Sequence, residues 1–77
     1  MNIKVLFFGV LAEHAGTDCR VYNHAGTTDD LLHMITDDFP GMDGYNYRLS
    51  VNNIITNTSA TLSDGDEVAL LPPFEGG

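Results

Sequence analysis

Asp64-Gly65-Asp66-Glu67-Val68-Ala69-Leu70-Leu71-Pro72-Pro73-Phe74-Glu75-Gly76-Gly77 is the stretch whose reading decides the rest. Asp64-Gly65 has the chemistry of a tight reversal, because glycine accepts positive φ and aspartate bonds its own backbone. Residues 68–71 are an apolar run, short and sharply bounded, as expected of one buried strand. Pro72-Pro73 ends sheet pairing, since neither residue has an amide proton to donate. The expected organisation is a body over residues 1–71 and an extended tail over 72–77. Fully extended, such a tail reaches roughly 20 Å at about 3.3 Å per residue. Gly76 and Gly77 remove side chains at the tip, so the end can thread a narrow channel. A frayed, inert terminus has the same composition, and the tail alone does not separate the two.

Working outward, residues 3–8 read as a strand with Ile3, Val5 and Phe7 on one side and Lys4, Leu6 and Phe8 on the other. Both sides are largely apolar, which suits an interior strand. Residues 9–16 are too long for a tight hairpin and predict one helical turn over 10–15, closed by Gly16. Residues 19–23 are the return strand, with Val21 expected to face the core and Arg20 and Tyr22 to face outward. The main helix is predicted over 28–39. Thr27 is its N-cap and Asp30 completes a capping box, while Asp29 and Asp30 complement the helix dipole. Leu31, Leu32, Ile35 and Phe39 form one stripe with Met34 at its edge, and Pro40-Gly41 stops the helix. Residues 42–47 read as a loop. Strands over 48–51 and 54–56 turn through Asn52-Asn53, residues that accept the positive φ a two-residue hairpin needs. Leu62 anchors the loop before the last turn.

The first and last strands are the most apolar and are therefore expected to be central and adjacent. The helix between the two halves of the sheet crosses over one face with right-handed connections. The fold class is α+β, a β-grasp: a mixed sheet with one main helix packed on one face. If Ile3, Val5, Phe7, Val68 and Leu70 point at that helix, then Leu6, Phe8, Ala69 and Leu71 point away. An exposed apolar patch of that kind suits protein binding.

Composition narrows the partners. A chain of 77 residues makes one small domain, and 43% hydrophobic residues argue against wholesale disorder. Lys4, Arg20 and Arg48 stand against eleven acids, for a net charge of −8. Nucleic acid and anionic membrane are poor partners for such a chain, whereas a basic protein surface is a natural one. The same charge also serves plain solubility. The lone Cys19 makes no internal disulfide, which favours a reducing, cytoplasmic setting. Lys4 followed by the apolar residues 5–12 imitates a signal peptide, yet no cleavage pattern follows and its removal would delete a strand. Export is not expected, and a run that short does not span a membrane.

Other candidate chemistry is thin. Asp29, His33 and Asp37 share a helix face at four-residue spacing, which reads as a solvated acidic face rather than a ligand set. His14 and His24 read as surface residues. Asp64-Gly65-Asp66-Glu67 lacks the spaced acids of a calcium loop. Cys19 is a conceivable persulfide carrier, but a single cysteine on a short strand is more often a small packed hydrophobe. No nucleophile triad, phosphate-cradling loop or zinc pattern is visible, so neither a metal site nor an independent active site is expected.

Met1-Asn2-Ile3-Lys4-Val5-Leu6-Phe7-Phe8, Gly16-Thr17-Asp18 and the stretch from Leu62 through Gly77 together resemble the small subunits of molybdopterin synthase, a family of ubiquitin-like sulfur carriers. The resemblance is strong at both ends and rests on element order in the middle. It implies that an adenylating activating enzyme uses ATP on the carboxylate of Gly77, with no cofactor bound tightly to the carrier. It further implies that a persulfide donor converts that terminus to a thiocarboxylate. Inserted into the large subunit, the thiocarboxylate would give sulfur to a pterin precursor, building a dithiolene. On the same basis Gly76 permits threading, Glu75 lies in the inserted tail, and Pro72, Pro73 and Phe74 set its exit direction. Phe8, Ile55 and Leu71 are expected to contact the large subunit. A carrier for thiamine thiazole synthesis or tRNA thiolation, a ubiquitin-like modifier of lysines, and a plain binding domain remain open. Pro72-Pro73-Phe74 and Phe7-Phe8 favour the first reading.

Overall fold

Ile3, Val5 and Phe7 alternate along β1 (Asn2–Phe7) and are all buried, while Asn2 and Lys4 are exposed and Leu6 is half-buried. This period of two is what a strand with one face on the core requires. The computed structural model describes residues 2–23 and 25–72. β5 (Glu67–Leu71) lies parallel to β1, with Val68 opposite Val5 and Leu70 opposite Phe7. β2 (Cys19–Asn23) pairs antiparallel on the other side of β1. β3 (Arg48–Val51) pairs antiparallel with β5, and β4 (Ile54–Thr56) closes the series. The order is β2-β1-β5-β3-β4 in one five-stranded mixed sheet, so the two most apolar strands are adjacent and interior as expected.

Helix α1 (Val10–Ala15) is closed by Gly16, at φ 73°, whose N–H donates to the Ala12 carbonyl at 2.8 Å. Helix α2 (Thr28–Asp38) starts at Thr27, whose Oγ1 accepts from the Asp30 N–H at 3.1 Å. That cap satisfies one of the amides that the first turn leaves unpaired. Leu31 and Ile35 of α2 are buried with Ile3, Val5, Leu11, Val68 and Leu70 in one core, and Leu32, Met34 and Phe39 pack at its margin. α2 therefore covers one face of the sheet, the arrangement of a β-grasp. Asn52 and Asn53 both have positive φ, 50° and 71°, as the β3–β4 turn demands. Leu62 is buried beneath the long return to β5.

Two expectations need correction. Val21 was expected inside and Tyr22 outside, yet Tyr22 is buried and Val21 is 55% exposed. Directly opposed residues share a face, and the register sets Tyr22 opposite Ile3 and Val21 opposite Lys4. Tyr22 reaches the core edge, and its hydroxyl donates to Asp38 Oδ2 at 2.8 Å. Burial, reinforced by that bond, pushes its phenol well above the ordinary tyrosine range. Arg20, opposite Val5, lies 5.0 Å over the Phe39 ring with its guanidinium 3.9 Å from Asp38. Residues 42–47 are also more than a loop: a 3-10 turn over Met42–Gly44 sinks Met42 completely into the core.

The return to β5 is held by carboxylates. Asn2 N–H donates to Asp64 Oδ1 at 2.6 Å, and Ser63 N–H donates to Asp66 Oδ2 at 2.7 Å. Asn52 Nδ2 donates to Asp66 Oδ1 at 3.0 Å, while Asn52 Oδ1 accepts from Glu67 N–H at 3.0 Å. The Ser63 amide first, then the Asn52 amide, hold the Asp66 carboxyl below the usual carboxylate range. A depressed folded-state pKa adds stability above the unfolded value of about 3.9 and loses it as pH falls through the folded value. The melting-temperature gap between the parent and Asp66→Asn is thus expected to be present at about pH 7 and to close below about pH 4. Thermal melts across that range measure it.

Candidate functional site

The face of the sheet turned away from α2 is the candidate docking surface. Register alone builds it. Cys19 stands opposite Leu6, Leu6 opposite Ala69, Ala69 opposite Ser50 and Ser50 opposite Ile55, so one row crosses all five strands. Ala69 and Ser50 are small and lie low, at 9% and 6% exposure, between half-buried Leu6 and 48% exposed Ile55. Phe8, 44% exposed, follows the end of β1, and Leu71 stands opposite Arg48 at the same end of the sheet. The result is a shallow apolar dip with a bulky rim. Lys4 and Arg48 flank it, while Asp29, Asp30, Asp37 and Asp38 lie on α2 on the far side. The four acids of α2 thus lie across the sheet from these two cations, while Glu67, opposite Lys4, puts one acid on the outer face.

Pro72, the last described residue, sits at the rim. β5 delivers Leu71 and then Pro72, which lies over Gly9. Gly9 has φ 58° and ψ −133°, and a Cβ there would stand 3.1 Å from Pro72 Cγ. Its carbonyl also accepts from Ala12 and Glu13 N–H at 3.1 and 3.3 Å. The end of β1, the first turn of α1 and Pro72 therefore meet at one residue without a side chain. Sequence reasoning passed over Gly9; the available signal was a glycine directly after the most apolar strand.

Of the expected site residues, Phe8, Ile55 and Leu71 are brought to one face and Pro72 to its margin. Pro73, Phe74, Glu75, Gly76 and Gly77 lie outside the described residues, as does His24. His14 has more company than a plain surface residue. Its Nε2 lies 2.9 Å from the Pro40 carbonyl and its Nδ1 3.3 Å from the Tyr45 hydroxyl. Since a carbonyl only accepts, Nε2 carries a proton, and in the neutral imidazole Tyr45 donates to Nδ1. His33 lines an open groove with Asp29, Asp37, Asp43 and Tyr47. Burial, and then the Asp43 charge, raise the Tyr47 phenol. Among the described residues no three His, Cys, Asp or Glu side chains are placed to hold a metal ion. Cys19 is half-buried on the outer face. Among the described residues no helix is long and apolar enough to cross a membrane.

Residues 5–77 match the ThiS family. The chain belongs to that family. Along its whole length this ThiS-family chain is 34% identical to the molybdopterin synthase sulfur carrier subunit of Chlamydomonas reinhardtii, over 83 aligned positions covering 100% of both. Its fold is similar to that of SAMP1 from Haloferax volcanii, with a TM-score of 0.86 at 24% identity and 100% of each chain covered. It is similar also to a chain in the protein-protein complex of subunits 1 and 2 of the Helicobacter pylori 26695 molybdopterin-converting factor, with a TM-score of 0.76 at 24% identity and 100% of each chain covered.

Gly9 can be tested directly. Gly9→Ala puts an L-residue at positive φ and a methyl against Pro72, for an expected cost of about 1–2 kcal/mol. For a domain of this size that is a fall in Tm of roughly 5–10 °C. D-Alanine at the same position, installed by chemical synthesis, favours this φ and turns its methyl elsewhere, and is expected to recover most of the loss.

Proposed function

We propose that this ThiS-family chain is the sulfur-carrier subunit of a molybdopterin synthase. The observation that supports it best is the course of β5. The central strand runs out of the sheet at Pro72, beside an exposed apolar face bearing Phe8, Leu71 and Ile55. One part of the molecule is suited to hold a partner, and the other to extend a terminus into it. The full-length similarity to a named sulfur carrier subunit points the same way.

A carboxylate is a poor electrophile, so activation has to come from ATP held by a separate adenylating enzyme. The Gly77 carboxylate attacks the α-phosphorus and pyrophosphate leaves, giving an acyl-AMP. The terminal sulfur of a donor persulfide attacks the acyl carbon and AMP leaves, giving an acyl disulfide. A thiol then takes the donor sulfur as a mixed disulfide and frees the thiocarboxylate. Docked on the large subunit through Phe8, Ile55 and Leu71, the carrier gives this sulfur to a pterin precursor. A dithiolene needs two sulfurs, so two loaded chains are consumed for each product. The Helicobacter pylori complex of two subunits supports a partner of that kind. The lone Cys19 supports a reducing, cytoplasmic setting.

Intact mass after incubation with a cognate activating enzyme, ATP and a sulfur donor tests the reading. A gain of about 16 Da, one oxygen replaced by sulfur, is expected. An unchanged mass overturns it, and a ladder of lysine conjugates assigns the terminus to protein modification. Dithiolene formation after adding the large subunit separates this carrier from those of thiazole synthesis and tRNA thiolation.

A further inference from the structure

The two edges of the sheet are unlike. β4 offers three residues, whereas β2 offers five and runs beside α2. Phe7 N–H donates to the Asp18 carbonyl at 2.8 Å, which fixes the phase of the antiparallel ladder. Arg20 and Tyr22 therefore turn their backbone groups toward β1, and Cys19, Val21 and Asn23 turn theirs away. At Cys19 the outward groups are covered: the Thr17 hydroxyl donates to its carbonyl at 3.0 Å and accepts from its N–H at 3.4 Å. At Val21 they are not. Among the described residues its N–H and carbonyl have no partner, and its side chain is 55% exposed. A groove of about 440 Å³ runs between this edge and α2, bordered by Tyr22, Met34, Asp37 and Asp38. Asp38 is engaged by the Tyr22 hydroxyl and Arg20. Asp37 has no hydrogen-bond or ion-pair partner among the described residues.

We propose that this edge is a second docking site, taking an extended peptide segment as a sixth strand paired through Val21, with an apolar side chain on Met34 and a lysine or arginine opposite Asp37. Unpaired backbone groups supply affinity in strand addition, and the groove beside them selects alternate side chains. A net charge of −8 and the free Asp37 carboxylate favour a basic segment over an acidic one. The site is remote from the tail root. Val21 and Asn23 stand opposite Lys4 and Asn2, at the end of β1 away from Phe8 and Gly9. A segment bound there leaves the outer face and the tail free.

The test uses the full chain, labelled with nitrogen-15, titrated with the peptide acetyl-Thr-Ile-Thr-Lys-Thr-Val-amide, in which Ile, Lys and Val share one face. Amide shifts are expected only around residues 20–23 and 34–38, with a Kd on the order of 0.1 mM. Val21→Pro deletes the outward N–H at an edge that tolerates proline, and is expected to weaken binding by more than about tenfold. Asp37→Lys is expected to weaken it about fivefold, and a peptide with Glu for Lys to recover that loss. The charge swap decides alone if Val21→Pro fails to fold. An absence of shifts up to about 1 mM peptide, shifts on the Phe8–Leu71 face or on β4, or an affinity indifferent to these changes overturns the proposal.

Discussion

Deletion of Gly77 is expected to lower thiocarboxylate formation by more than roughly 100-fold while moving the melting temperature by no more than about 1 °C. The first half follows from reach. Removing one residue withdraws the carboxylate by about 3.5 Å, and reacting atoms must come within about 3–3.5 Å of each other. The shortened chain still ends in a carboxylate, so only its position has changed. The second half follows from where the core lies. Among the described residues every fully buried one, from Ile3 through Leu70, precedes Pro72. Gly76→Leu makes the complementary change: it keeps the reach but adds a branched side chain where the tail must thread, and is expected to fail comparably. Pyrophosphate exchange and intact mass measure the two steps, and binding to the large subunit should stay within about twofold of the parent. Normal loading by either variant contradicts the role given to the tip.

The legible parts of this fold are those written in local chemistry. Thr27 announces its helix, and Asn52-Asn53 and Asp64-Gly65 their turns, because each conformation needs those residue types. The adjacency of β1 and β5 is legible because they are the two most apolar strands, with Lys4 and Glu67 among the few polar residues on either. Long-range choices were not. Val21 and Tyr22 are one residue apart, and a shift of one in register exchanges which of them is buried. The connection through α1 sets that register, and no periodicity encodes it. Met42 has no periodic neighbours, so its burial was invisible. His14 finds Pro40 and Tyr45 only once α1 has packed beside the turn after α2. The candidate site divides the same way. Its apolar face follows from the period of two, whereas the seat of Pro72 on Gly9 joins residues whose proximity only the folded sheet creates.

Phe8→Asp is expected to weaken binding to the large subunit by roughly 100-fold, or about 2.7 kcal/mol, with a change in monomer stability of about 0.5 kcal/mol. In the free domain Phe8 is 44% exposed, so a carboxylate there remains in water. Under a partner it would lose that water without gaining a counter-charge, and an uncompensated buried charge is costly. Leu71→Asp should behave similarly, softened in the monomer because Arg48 stands directly opposite. Ile55, near the sheet edge on β4, is expected to matter less, since binding energy concentrates at the centre of an interface. Calorimetric titration beside thermal melts checks all three. A large fall in Tm with unchanged affinity would place Phe8 and Leu71 in the core instead. Concentration separates this defect from the first. A sulfur-loaded Phe8→Asp chain in excess should recover product, because weak docking raises the concentration needed without altering the transfer step. The chain lacking Gly77 should fail at every concentration, because its docking is sound and its terminus falls short.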